Sequence, residues 1–137
     1  MPSIKIQMPE EFLLKLSELG NSTDTILPKV LESGGEVVLA KVRGNLSSVL
    51  SGKSTGQLYA ALGLSKPRLN RKGNWDIKIG FAENRSDGKS NAMLANVLEY
   101  GKHNQPPHPF MKPARTQSKS AAIDAMKSTF EDEVNKL

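Results

Sequence analysis

"WDIKIGF", residues 75–81, decides the fold class. Trp75, Ile77, Ile79 and Phe81 alternate with Asp76, Lys78 and Gly80, which puts four apolar side chains on one face of a strand. A strand with one apolar face needs a neighbour and a covering layer. The neighbour lies just upstream. "LSKPRLN" (64–70) and "RKGN" (71–74) read as the first strand and turn of an antiparallel hairpin over 64–81. Pro67 lacks an N–H and so belongs at a sheet edge.

The covering layer must be helical. In "NSTDTILPKVLESGGEVVLAKVRGNLSSVL" (21–50), Leu27, Val30, Leu31, Val38, Val42, Leu46, Val49 and Leu50 follow a helical period. Ser22, Thr23 or Asp24 caps its start, and Pro28 is tolerable only near that start. The Gly34-Gly35 pair, at about 1 kcal/mol per glycine relative to alanine, invites a kink or break. "PEEFLLKLSEL" (9–19) is a short amphipathic helix closed by Gly20, with Phe12, Leu13, Leu16 and Leu19 on one face. "STGQLYAALG" (54–63) reads as a short helix or turn ending at Gly63, and "AENRSDGKSN" (82–91) as a polar loop. "NAMLANVLEYG" is a short helix ending at Gly101, with Leu94, Val97 and Leu98 on one side. Residues 102–112 are an extended proline segment, and the C-terminal helix starts near Pro113. Its stripe is Ile123, Met126, Phe130, Val134 and Leu137. The expected fold class is therefore α+β. A small antiparallel sheet packs against a long helix in the N-terminal half and a C-terminal helix.

At 137 residues one domain is expected, with 1–20 as an N-terminal extension carrying the short helix. An apolar content of 37% with 5% aromatics implies a modest core of Leu, Val, Ala and Ile. The absence of cysteine excludes disulfides and thiolate metal sites. The N-terminus lacks an apolar signal region and no run reaches membrane-spanning length, which points to the cytoplasm unless an assembly carries the chain out. The net charge of +5 favours an anionic partner or simply solubility; the 19 basic residues are spread along the chain.

Few motifs carry chemistry. Gly52-Lys53-Ser54 and Gly88-Lys89-Ser90 lack the earlier glycine of a phosphate loop, because Ser47 and Glu83 stand there. His103 and His108, with Glu99, have no metal-ligand spacing, so no cofactor or metal is expected. A Glu99–His103 acid–base pair supports a hydrolase reading in which Glu99→Gln abolishes activity, although no nucleophile elbow accompanies it. Lys66, Arg68, Arg71, Lys72 and Lys78 cluster on the hairpin, where they could touch phosphates or merely keep a sheet edge soluble.

"LEYGKHNQPPHPFMKPA" (98–114) is the densest stretch. Its prolines limit backbone freedom between two helices, and Phe110 and Met111 supply apolar anchors; a rigid connector accounts for it. The pattern Leu98-Glu99-Tyr100-Gly101, then Pro109-Phe110-Met111 and Pro113-Ala114, also resembles the gene-product-ten-like tail-completion, or head–tail joining, family of long-tailed bacteriophages. Thr55, Gly56 and Leu58 look like that family's Thr-Gly-x-Leu step. The resemblance runs from about residue 22 to the end. Lys102 departs from it, since the family often has threonine there.

The resemblance implies a structural role without catalysis, in the virion at the head-proximal end of the tail. It implies a ring of copies, commonly hexameric, that meets the tail-tube protein and the head–tail connector. In that reading the hairpin cations and the 82–91 loop are contact elements, no membrane is involved and nucleic acid is incidental. The alternative is a small basic nucleic-acid-binding protein, recognisable by binding that weakens steeply with salt.

Overall fold

The computed structural model describes residues 3–17, 23–50, 56–83 and 90–136; the side chains of Leu13, Leu16, Ser17 and Thr23 lie outside that description. The elements in chain order are β1 (Ile4–Gln7), α1 (Glu10–Ser17), α2 (Thr23–Val49), α3 (Gln57–Ala61), β2 (Leu62–Leu64), β3 (Arg68–Leu69), β4 (Trp75–Phe81), α4 (Asn91–Tyr100) and α5 (Met111–Asn135). The fold is α+β, as the alternation in 75–81 predicts.

Strand β4 is the centre of a four-stranded antiparallel sheet, with β1 on one side and β2 and β3 in line on the other. The hairpin forms, but its first strand is interrupted. Leu64 pairs with Ile79 and Arg68 with Asp76, so residues 65–67 span only two residues of β4. This bulge absorbs Pro67 where no ladder N–H is needed. The turn is built by Asn70, whose side-chain carbonyl accepts from Lys72 N (2.9 Å) and Asn74 N (3.0 Å). Gly73 there has a φ of 83°, which a side chain would resist.

Two segments depart from the sequence reading. Residues 4–7, expected as part of an extension, form an edge strand with Ile4 and Ile6 in register with Ile79 and Ile77. Four residues with two isoleucines give too short an alternation to stand out. Residues 62–63, expected to end a helix, begin β2; α3 stops at Ala61.

Helix α2 runs unbroken through Gly34-Gly35, so the expected break does not occur. The glycines are needed for thickness instead. A Cβ on Gly34 would stand 2.8 Å from Met126 Cγ of α5, and one on Gly35 would stand 2.9 Å from Leu64 Cδ1 of the sheet. Helix α2 is thus pressed from both sides at this point. Helices α2 and α5 are antiparallel neighbours, because Lys29 reaches Glu133 (3.3 Å) while Asn45 Nδ2 reaches the Phe110 carbonyl (3.2 Å) and Gln117 (3.3 Å). The buried stripe of α5 is Met111, Ala114, Ser118, Ala122, Met126 and Phe130. Of the expected stripe, Met126 and Phe130 are buried, Ile123 and Val134 are half-buried, and Leu137 lies outside the described residues. Small residues in the first half of α5 let the two helices approach closely.

The core has two adjoining clusters. One gathers Val42, Leu46, Leu58, Ile79, Phe110 and Ala114; the other gathers Phe12, Ile26, Leu31, Ile77, Met126 and Phe130. Phe12 stacks obliquely on Phe130 with ring centroids 5.3 Å apart, which ties α1 to the end of α5. Leu19 and Gly20 of the expected α1 face and stop lie outside the described residues. On α4 the deeply buried side chains are Asn91, Ala92, Ala95 and Glu99, while Leu94 and Leu98 are half-buried against the first cluster.

Candidate functional site

Residues 98–114 fold as one joint. Glu99 ends α4 buried, at 5% exposure. Its Oε1 accepts from Phe110 N (3.0 Å) and Met111 N (2.8 Å), and its Oε2 accepts from Lys112 N (3.1 Å). These amides open α5, where the helix has N–H groups without partners and a positive dipole end. A carboxylate from the preceding helix therefore closes the next one. The helix starts at Met111, two residues before Pro113, because this cap fixes its first turn.

The segment between is not fully extended. Lys102 and Gln105 bond each other in both directions (3.0 and 2.9 Å), with Asn104 at a φ of 71°. Gly101 has a φ of 77°, and a Cβ there would stand 2.8 Å from the Gln105 carbonyl and 2.9 Å from Pro107 N. His108 N then donates to the Leu98 carbonyl (2.7 Å), bringing the chain back beside α4. Phe110 is fully buried, edge-on to Phe81 at 6.1 Å. Ala114 is buried against α2, while Tyr100 is 67% exposed and Pro109 is exposed. The glutamate, glycine, phenylalanine and alanine of the motif are thus accounted for by this joint, and Tyr100 is not.

The same device occurs one step earlier. The Glu83 carboxylate accepts from Asn91 N (2.9 Å) and Ala92 N (2.7 Å), and Ser90 Oγ accepts from Met93 N (3.2 Å), so α4 is closed from the end of β4. The expected 82–91 contact loop is flanked by these caps, and its residues 84–89 lie outside the described residues.

Both oxygens of Glu99 are occupied by backbone amides, and His103 and His108 are exposed. Among the described residues no group of three or more His, Cys, Asp or Glu could hold a metal ion. No helix of the described residues is long and apolar enough to cross a membrane. Gly52-Lys53-Ser54 and Thr55 lie outside the described residues, as do Gly88 and Lys89.

Of the hairpin cations, Arg68 and Lys78 share the sheet face of Asp76, opposite the buried Ile77 and Ile79, while Lys66 lies in the bulge and Arg71 and Lys72 in the turn. Asp76 is the unexpected member. The alternation makes it a solvent-facing residue, yet it is fully buried. Its carboxylate lies 3.6 Å from Lys5 Nζ and 3.6 Å from Arg68 Nε, and it accepts from Asn70 Nδ2 (3.4 Å). Asp76 offsets the repulsion that Lys5, opposite Lys78 in register, would otherwise bring to this face. A groove of about 510 Å³ runs beside it, lined by Lys5, Gln7, Arg68, Arg71, Lys72 and Asn74. The structure thus gathers three of the five expected cations and adds Lys5, which lies 63 positions before Arg68 in the chain. Lys66 stays in the bulge outside this groove. Lys78 lines a second depression over the paired Gly63 and Gly80, where the sheet backbone is bare.

At the far end of the helix pair, Glu133 bonds Lys29 (3.3 Å) and Lys136 (3.4 Å). Burial pushes its pKa up, but the two ammonium groups outweigh that and hold it below the usual glutamate value. No family model, no curated protein and no solved structure matches this chain.

Proposed function

We propose that this chain is a structural protein of a long-tailed bacteriophage, acting as a tail-completion or head–tail joining component. It works by binding and carries out no catalysis. The observation that carries the reading is the joint itself. The residues that resemble the family's motif act together: Glu99 caps α5, Gly101 takes the positive φ, and Phe110 and Ala114 anchor the returning chain. Such a joint fixes α4 against α5 and gives an assembly component a rigid frame, on which exposed elements make contacts.

The groove of Lys5, Arg68, Arg71 and Lys72 is the contact surface this reading uses. Copies form a closed ring by a heterologous contact, in which one surface meets a different surface of the next copy. Other surfaces meet the tail tube and the connector. The decisive experiment is electron microscopy of a lysate from a phage lacking this gene, beside a complemented control. Full heads with separate or overlong tails are expected, and complementation restores joined particles. Normal infectious particles from the deletion would refute the role. Reversing the charge of Arg71 and Lys72, both exposed in the turn, should impair assembly and leave the monomer folded.

The same groove also favours a second reading, binding of a nucleic-acid backbone. That reading requires an affinity falling steeply with salt, roughly one logarithmic unit per logarithmic unit of salt for each phosphate contact. A salt series with short duplex and single-stranded DNA separates the two.

A further inference from the structure

Strand β1 is an edge, and the ladder tells which of its backbone groups are unused. Lys78 accepts from Ser65 N (2.8 Å) and donates its own N–H to Ser65 Oγ (2.9 Å), and Ala82 N donates to the Ala61 carbonyl (2.9 Å). Even-numbered residues of β4 therefore direct their peptide groups toward β2 and β3. Hydrogen bonding alternates along an antiparallel pair, so Ile77 and Ile79 bond β1 through Ile6 and Ile4. Lys5 and Gln7 consequently turn their N–H and C=O groups outward. No described backbone group outside the sheet bonds to them.

Outside that edge lies a groove along α5. One part, about 280 Å³, is lined by Ile4, Lys5, Ile6 and Gln7 in succession. Neighbouring side chains of a strand point to opposite faces, so four successive residues along one wall mean that the wall is the backbone edge. Val38, Ala122 and Ile123 give this part an apolar lining, and Arg115 and Lys119 give it charge. A second part, about 330 Å³, continues past Ile4 to Tyr100, Lys112 and Arg115. The single acidic residue lining either part is Glu99, whose oxygens are taken up by α5.

We infer that the β1 edge is a strand-addition site for an extended segment of a partner protein that carries apolar and acidic side chains. The outward amides and carbonyls supply the ladder, the apolar lining takes the apolar side chains, and Lys5, Arg115 and Lys119 attract the acidic ones. A nucleic acid has no matching peptide ladder. A second copy pairing through β1 would bring Ile-Lys-Ile-Gln and place more positive charge beside Arg115 and Lys119. This surface meets the groove at the hairpin at Lys5 and Gln7, and the inference does not depend on the proposed function.

The test uses the full chain, isotopically labelled, and an end-blocked peptide Val-Glu-Val-Asp-Val-Glu-Val. Saturating peptide should slow amide exchange at Lys5 and Gln7 about tenfold or more, and change Ile4 and Ile6 less than about twofold. A fully N-methylated peptide, or one with lysine for every acid, should bind at least about tenfold more weakly. The double variant Arg115→Glu with Lys119→Glu, both exposed, should weaken binding similarly while its circular dichroism is unchanged. Equal binding of the N-methylated or lysine peptide overturns the inference. So does the absence of binding at about 1 mM peptide. Slowed exchange at Lys5 and Gln7 without peptide, rising with protein concentration, would instead assign the edge to self-pairing.

Discussion

Removing the Glu99 carboxylate should destabilise the whole domain in a graded way. In Glu99→Ala the Phe110 and Met111 amides lose their acceptor inside the protein, while the Lys112 amide is partly reachable by water. A buried donor left without a partner costs about 1–3 kcal/mol, so two of them cost about 4 kcal/mol. Glu99→Gln keeps a carbonyl oxygen for Phe110 and Met111. It turns an NH2 toward Lys112 N and gives up the negative charge at the positive end of the helix. That loss is about 1.5 kcal/mol. Unfolding entropy of about 2.1 cal/mol/K per residue over 137 residues makes 1 kcal/mol equal to about 3–4 °C in Tm. Thermal melts followed by circular dichroism should therefore fall about 5 °C for Glu99→Gln and about 14 °C for Glu99→Ala. Urea titrations should give the same order with unchanged m-values. An alanine variant melting within about 3 °C of the parent would refute the capping argument, since about 1 kcal/mol cannot represent two abandoned buried donors. Equal losses in both variants would show that the charge, not the geometry, is what matters.

Three further outcomes follow from other contacts. Gly34→Ala gains helix propensity of about 1 kcal/mol but drives a methyl into Met126, so a net loss of about 1–3 kcal/mol is expected by chemical denaturation. Combining it with Met126→Ala should cost less than the sum of the two single changes, and strict additivity would show that the two residues do not compete for space. Gly101→Ala, at a φ of 77° and 2.8 Å from a carbonyl oxygen, should cost about 1–3 kcal/mol and broaden the amide signals of 102–108. Because the Glu133 pKa is lowered in the folded state, its contribution is present above the ordinary glutamate value and lost as pH falls through the folded value. Glu133→Gln should flatten the acid limb of a stability–pH curve, and an unchanged limb would mean that Lys29 and Lys136 do not hold it charged.

The fold class was legible because β4 and the two long helices carry strong, uninterrupted periods. The boundaries failed where one residue type serves two structural needs. Gly34-Gly35 looks like a helix breaker, but the same lack of a side chain admits Met126 and Leu64 from either side. Which role wins is decided by packing partners far along the chain, Met126 on α5 and Leu64 on β2. Strand β1 was missed because its pairing with β4 supplies most of its reason to be extended. Asp76 was misplaced because strand alternation assigns a face and does not say whether that face is covered; Lys5 comes from a segment expected only as an N-terminal extension. The joint at 98–114 was visible as a proline-rich connector, whereas the role of Glu99 required knowing that α5 begins beside it. One signal was available: a glutamate on the apolar side of a short helix, at Ala95 plus four, is out of place unless something buried is bonded to it.

The distribution of acids explains how a net charge of +5 becomes a directed surface. Counted along the chain, cations and acids look evenly mixed. In the folded molecule Glu83 and Glu99 are turned onto helix N-termini and Asp76 is buried under Lys5 and Arg68. Charges engaged in this way stabilise elements and contribute little to the outward field. Most other acids of the described residues lie on α1, the first half of α2 and the second half of α5, among them Glu10, Glu32, Glu36, Asp124 and Asp132. The hairpin turn and the start of α5 add Arg71, Lys72, Arg115 and Lys119 to Lys5 and Arg68, whose charge the single carboxylate of Asp76 offsets only in part. Folding therefore separates the charges that the sequence interleaves. In the proposed ring, a cationic sheet face and an anionic helix end would favour a heterologous contact, which brings unlike surfaces together, over a two-fold contact, which brings like ones.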